Sequence, residues 1–207
     1  MADETGWRTL LRAVFSGMAG DARLDGSEMA AHMPTLHLLA TNWSWGDVVE
    51  AGVGRGWSTV ALLSALMPQG KRLISYDADG NRCSGVFKAW GLAEGDPILS
   101  FWDFRVKSSA DAAADFADAA VSLFFLDTSH LYEHTKAELA AWFPKIHPDG
   151  IICGHDYLLH QRPDWATKSG VHLAVDEFAA AHGDRFRLQV LPHDQGLFIL
   201  WPKSTMG

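Results

Sequence analysis

Cysteine is scarce in this chain of 207 residues: Cys83 and Cys153 are the only two. They form no C-x-x-C pair, which argues against a structural zinc site. Two free thiols in a reducing cytoplasm are the expectation. Long apolar runs are lacking as well. No stretch approaches the ~20 apolar residues that span a bilayer. The N-terminus carries Asp3 and Glu4 and no long apolar run, so it does not read as a signal peptide. Lysine and arginine form no run, and 17 of them against 25 acidic residues give a net charge of −8. Such a surface does not suit nonspecific nucleic-acid binding, which needs a basic footprint. There is no internal repeat and no low-complexity linker. What remains is 48% hydrophobic, at a length that suits one domain with a full core, taken here as 1–207.

The most informative stretch is Val48-Val49-Glu50-Ala51-Gly52-Val53-Gly54-Arg55-Gly56-Trp57-Ser58. Two β-branched residues open a short strand. Three alternate glycines then allow a sharp turn and close approach to a ligand. Ser58 begins an apolar run that Pro68 and Gly70 stop, as a helix would be stopped. A helix start offers free N–H groups to a bound anion. Glu50 is expected to place a carboxylate at the ligand mouth. A second strand ends at Asp77, roughly 20 residues after the last glycine, where a ribose-binding carboxylate stands in nucleotide-binding βαβ units.

The ligand choice lies between a dinucleotide and S-adenosylmethionine. A dinucleotide fingerprint reads G-x-G-x-x-G, and here Trp57 occupies the place of the third glycine. Glu50 would repel a pyrophosphate, whereas the ammonium and sulfonium of S-adenosylmethionine suit a nearby acid. On Glu50-Ala51-Gly52-Val53-Gly54-Arg55-Gly56 and Asp77 the sequence resembles the class I S-adenosylmethionine-dependent methyltransferases.

Apolar periodicity predicts strands near 48–51, 72–76, 97–102, 122–126 and 150–154. Helices are predicted over 58–67, 80–91, 108–118, 131–146 and 170–182. That alternation implies a parallel sheet covered by helices on both faces. Phe186 to Leu191 and Leu197 to Trp201 are two further strands, joined too briefly to be parallel. The expected fold is therefore α/β, a Rossmann-like doubly wound sheet, mostly parallel with one antiparallel C-terminal strand. It occupies 46–202 and follows a helical extension over 1–45. That extension reads as one helix from Thr5 to Met18 and another, capped by Ser27, through Leu39, with Pro34 awkwardly placed inside it. Trp43 and Trp45 are expected in the core.

The resemblance implies further roles at strand ends. Asp103 and Phe104 match the acid and apolar residue that meet the adenine of the cofactor, alongside Gly52, Gly54, Gly56, Trp57 and Ser58 around its remaining parts. Asp127, His155 and Asp156 fall where a bacterial branch of sugar and small-molecule O-methyltransferases (methyltransferase family 24-like) holds magnesium beside the acceptor hydroxyl. His155 departs from that pattern, since magnesium prefers oxygen ligands, and it invites another divalent metal. Some members carry a basic carboxylate where Ser129 stands; His130 follows at once and could take a proton near neutral pH. Catalysis is thus assigned to His130 and Asp127. The expected partner is a small-molecule acceptor, with no nucleic acid and no membrane, and with self-association left open. A nicotinamide-dependent oxidoreductase and a non-catalytic binding protein of the same fold stand as alternatives.

Overall fold

A computed structural model describes Val14, residues 29–82, Ser84, Lys88 and residues 95–203. The helix expected from Thr5 to Met18 (Val14 apart), most of the one expected at 80–91, and Ser27 and Cys83 lie outside the described residues.

Seven strands form one sheet: β1 (Asp47–Ala51), β2 (Leu73–Asp77), β3 (Trp102–Val106), β4 (Val121–Leu126), β5 (Ile146–Gly154), β6 (Phe186–Leu191) and β7 (Leu197–Pro202). Their spatial order is β3-β2-β1-β4-β5-β7-β6. Every pairing from β3 to β5 is parallel, and β7 runs antiparallel to both of its neighbours. The order reverses direction between β1 and β4. A crevice opens at such a switch point, outside the carboxyl ends of the strands.

Successive side chains on a strand face opposite sides, and the core divides accordingly. Val48, Leu73, Leu123 and Phe125 face α1 (Met33–Asn42) and α2 (Trp57–Leu66). Val49, Tyr76, Phe124 and Ile152 face the other layer, built from α3 (Ser109–Ala112), α4 (Tyr132–Trp142) and α5 (Val171–Ala181). Trp142 anchors that second layer. Its ring stacks on Phe124 at 4.4 Å, and its Nε1 donates to the Ser109 carbonyl at 3.0 Å.

Several expected boundaries move. Pro34 sits in the first turn of α1, where a missing N–H costs nothing. The apolar run Pro97–Phe101 is a 3-10 turn rather than a strand, because the Asp96 side chain caps it by accepting from the Ile98 N–H. β3 therefore starts at Trp102, opposite Leu73. Trp43 packs beside Trp201 at 5.4 Å, but Trp45 is 50% exposed and only meets His147 edge-on. The helix expected over 108–118 is one turn, α3, followed by a 3-10 turn at Ala113–Asp115.

Candidate active site

A cavity of about 690 Å³ opens at the carboxyl ends of β1, β2, β4 and β5. Gly52, Gly54 and Gly56 all adopt positive φ, at 89°, 53° and 85°. They serve different ends. A Cβ on Gly52 would lie 1.8 Å from the Asp127 carbonyl, so this glycine lets β1 and β4 close together. A Cβ on Gly54 would meet nothing within 4 Å, because that residue faces the open cavity. Gly56 is the cap residue of α2. Trp57 and Arg55 line the cavity wall beside the loop.

Glu50 does not stand at the mouth as expected. It shares the strand face of Val48, and that face looks into α2. The side chain is wholly buried. Ser58 and Ser75 each donate a hydroxyl to it at 2.6 Å, and Thr59 donates at 2.9 Å. Burial pushes the carboxyl up to about 7 against the pull of those three hydroxyls. Glu50 thus locks the first turn of α2 to β1 and β2, and Ser58 belongs to that lock rather than to the cavity wall. The sequence did carry this signal: two hydroxyl residues in the first turn of α2, and a third at Ser75, directly across the sheet from Glu50.

Asp77 ends β2 and lines the cavity. Its Oδ2 accepts from the Val53 N–H at 2.9 Å, and its Oδ1 accepts from the Asp79 N–H at 2.9 Å. The same carboxylate therefore fixes the glycine loop and faces the ligand space. Asp103 and Phe104 lie elsewhere. With β3 starting at Trp102, Asp103 falls near its amino end and Phe104 at its middle, opposite Ser75, so neither reaches the carboxyl end of the strand. Asp103 bonds Arg105 at 2.7 Å and lines a separate cavity there, while Phe104 packs against Trp102. The carboxyl end of β3 instead presents Ser108 and Ser109 to the main cavity.

The carboxyl ends of β4 and β5 bring the titratable groups together. Nδ1 of His130 lies 2.7 Å from Oδ2 of Asp156, and Nδ1 of His155 lies 3.2 Å from Oδ1 of the same carboxylate. Donor atoms of Asp127, His130 and Asp156 all fall within 4.8 Å of one another. His155 is not in that trio. It buttresses Asp156 and meets His32 edge-on at 5.5 Å. The converging donor atoms therefore include His130, in place of the His155 expected from the sequence beside Asp127 and Asp156.

The electrostatics follow from this crowding. Burial raises the Asp127 carboxyl to about 7; His155 and His130 pull it down, and the Asp156 carboxylate pushes it up. Two carboxylates so close do not both ionise easily. Burial also raises Asp156, but His130 and His155 outweigh it and hold that carboxyl well below the usual range. Burial lowers His130, yet Asp156 and Asp127 outweigh it and keep the imidazole above its ordinary value. His130 and Asp156 are both non-glycine residues in the left-handed region, at φ 60° and 64°. Such backbone costs ~1–3 kcal/mol per residue and persists only where surroundings enforce it. Here the His130 carbonyl accepts from the Gly170 N–H at 2.9 Å, and the Asp156 carbonyl accepts from Leu159 at 3.1 Å. Trp165 meets the His130 ring edge-on at 5.5 Å.

Three features escaped the sequence reading. Gln195 is buried on the cavity wall, with an Nε2 that has no protein partner among the described residues. The buried Oγ of Ser129 is in the same condition. Glu138 is wholly buried on α4, where Thr128 donates to it at 2.8 Å and His134 contacts it at 3.2 Å. Its signal was a carboxylate on the buried stripe of α4, beside Thr135, Leu139 and Trp142.

Comparison with known proteins fits this geometry. A family model described as a methyltransferase domain matches residues 49–157, just over half of the chain. The uncharacterized protein y4gI of Sinorhizobium fredii is 29% identical over 65 residues, a match that spans 31% of this chain but only 7% of that protein. A protein from Corynebacterium glutamicum has a similar structure, with a TM-score of 0.68 and 18% identity over 95% of this chain and 97% of that one. An O-methyltransferase from Bacillus cereus, solved in complex with SAH, gives a TM-score of 0.67 at 15% identity, covering 95% of this chain and 91% of that one. TomG from Streptomyces achromogenes, an O-methyltransferase involved in tomaymycin synthesis and solved with SAM, gives 0.66 at 17% identity, covering 98% and 91%. The matched residues run from β1 through the glycine loop and Asp77 to the strand ends that carry His130 and Asp156, and this chain belongs to the methyltransferase-domain family.

Proposed function

We propose that this chain catalyses methyl transfer from S-adenosylmethionine to a hydroxyl oxygen of a small-molecule acceptor, with His130 taking the hydroxyl proton. The observation that carries the reading is the 2.7 Å contact between His130 and Asp156, inside the cavity that the glycine loop and Asp77 also line. A cavity of about 690 Å³ suits a nucleoside with an amino-acid tail, being in the usual range for ligand pockets. When bound, S-adenosylmethionine supplies an electrophilic methyl group on its sulfonium. Asp77 accepts from ribose hydroxyls while it keeps the glycine loop in place. Asp156 accepts from Nδ1–H of His130 and so fixes the tautomer that leaves Nε2 as the base, the arrangement of any carboxylate-oriented imidazole. Trp165 and Leu159 give the acceptor end apolar wall, and Gln195 gives it an amide donor. A cytoplasmic location accords with the free, buried thiol of Cys153.

The test is release of S-adenosylhomocysteine with a panel of small phenols and sugars, followed by His130→Ala on the acceptor found. A general base is worth ~10²–10⁴-fold, so kcat should fall by that much while cofactor affinity stays near wild type. Wild-type kcat in His130→Ala would remove the base assignment.

A divalent cation at Asp127, His130 and Asp156 is a second reading, favoured by their convergent donor atoms. Two carboxylates and one imidazole suit manganese, iron or zinc better than magnesium. A bound cation would supply Lewis-acid polarisation of the acceptor oxygen. Under this reading turnover falls with chelator and returns with added metal. Equal turnover after exhaustive chelation would contradict it.

A further inference from the structure

A second cavity, of about 550 Å³, opens at the amino ends of β1, β2 and β3. It lies at the other end of the strands from the main cavity, and no described residue lines both. Its size falls in the usual range for ligand pockets. The proposed methyl transfer makes no use of it. Part of its wall is fixed backbone. A Cβ on Gly46 would lie 2.6 Å from the Ala120 carbonyl, and both residues line the cavity.

Three cations line this cavity, Lys71, Arg72 and Arg105, in a chain whose net charge is −8. Arg105 is already committed. Its guanidinium donates to Asp103 at 2.7 Å and to the Tyr76 hydroxyl at 2.8 Å. The Lys71 ammonium donates to the carbonyl and hydroxyl of Ser44, which are neutral. Arg72 is exposed and makes no hydrogen bond or ion pair among the described residues; it acts on Asp103 only through space. Two positive charges therefore face the cavity with no carboxylate bonded to them. Asp47 and Trp45 complete the relevant lining. Asp47 has no ion pair among the described residues, and burial raises its carboxyl while Arg105 pulls it down. Trp45 is half exposed, with His147 against it edge-on at 4.5 Å.

Each of these groups matches a different chemical partner. Two cations suit a phosphate monoester, which carries about −1.5 to −2 charge near pH 7. A pyrophosphate in a dinucleotide spreads one charge over each phosphate and suits them less. Inorganic phosphate alone would leave Asp47 opposing it and the indole unused. A carboxylate only accepts, so Asp47 suits hydroxyl donors such as a ribose diol. A half-exposed indole suits the flat face of a base. We propose that this cavity binds a nucleoside monophosphate, with Lys71 and Arg72 on the phosphate, Asp47 on the ribose hydroxyls and Trp45 against the base. The site is separate from the methyl-transfer cavity and does not rest on that reading.

The experiment is calorimetric titration of the full chain with AMP in excess S-adenosylhomocysteine, because adenosine could otherwise enter the main cavity. Saturable binding at one site is expected. Arg72→Ala should weaken AMP at least about tenfold, through lost charge-assisted hydrogen bonds. Trp45→Ala should weaken it at least about fivefold, the worth of one stacked base. Both side chains are exposed, so the melting temperatures should change little. Inorganic phosphate should bind more weakly than AMP. Folded Asp77→Ala, altered in the main cavity, should bind AMP as wild type does, whether or not S-adenosylhomocysteine is bound. No binding of AMP, an unchanged affinity in Arg72→Ala or in Trp45→Ala, or phosphate binding as tightly as AMP would overturn the proposal. Loss of AMP binding in Asp77→Ala would put the nucleotide in the main cavity and overturn it as well.

Discussion

His130 is a base whose neighbours make it harder to deprotonate. Asp156 and Asp127 hold its imidazole above the ordinary histidine value despite burial. A raised imidazole stays protonated to higher pH, and a protonated imidazole cannot accept the acceptor's proton. The acid limb of kcat against pH should therefore have its midpoint above ~6.5, the reference value for histidine. A midpoint at or below that value would show that another group controls the limb. Glu50 gives a second residue-scale prediction, this time about stability. Its folded pKa of about 7 exceeds the 4.5 of an ordinary glutamate. The folded protein thus binds this proton more tightly than the unfolded chain does. Its favourable contribution is complete below pH 4.5 and is lost as pH rises towards about 7. Glu50→Gln removes the titration. Relative to wild type, the variant should gain on the order of 3 kcal/mol between those pH values, by the linkage of pKa to stability. Urea melts at pH 4.5 and pH 8 test this, and a constant difference between the two proteins would contradict it.

At the scale of elements, the glycine loop separates fold from site. Gly52→Ala sets a Cβ against the Asp127 carbonyl at 1.8 Å, at φ 89°, so β1 and β4 must part at the switch point. Gly54→Ala meets no atom within 4 Å and bears only the cost of φ 53°, ~1–2 kcal/mol for a residue with a Cβ. Gly52→Ala should therefore lower the melting temperature clearly more than Gly54→Ala does. Equal melting temperatures would mean that the loop relaxes around both substitutions. The elements themselves were unevenly legible. β1, β2 and β4 announced themselves as short β-branched or aromatic runs, β1 leading into the glycine loop, β2 ending at Asp77 and β4 followed by Asp127, and the brief link before β7 fixed its reversed direction. β3 was missed because Pro-Ile-Leu-Ser-Phe has a strand's composition, while Asp96 and Pro97 at its head make a capped turn. That five-residue shift moved Asp103 towards the amino end of β3 and Phe104 to its middle, away from the ligand end of the sheet. The contact between His130 and Asp156 needs both the adjacency of β4 and β5 and two left-handed residues, and neither can be read from spacing alone. Glu50 illustrates the same limit within one strand. Its place at the end of β1 suggested a ligand contact, but the alternation of the strand turned it into the α2 layer.

For the molecule as a whole, the sheet order makes one crevice, and the family match runs through the residues that line it. No helix among the described residues is long and apolar enough to cross a membrane. The oxidoreductase alternative is at odds with the family; the non-catalytic alternative shares it and is separated by turnover. The proposed function meets the family match at the cofactor, since His130 can act only on an acceptor held beside it. The most direct measurement is a calorimetric titration of the wild-type chain and of Asp77→Ala with S-adenosylhomocysteine, with NAD as the comparison ligand. The account predicts saturable binding of S-adenosylhomocysteine at one site, affinity reduced at least about tenfold in Asp77→Ala through lost charge-assisted hydrogen bonds, and no heat from NAD. Saturable binding of NAD, or no binding of S-adenosylhomocysteine by the folded protein, would contradict it.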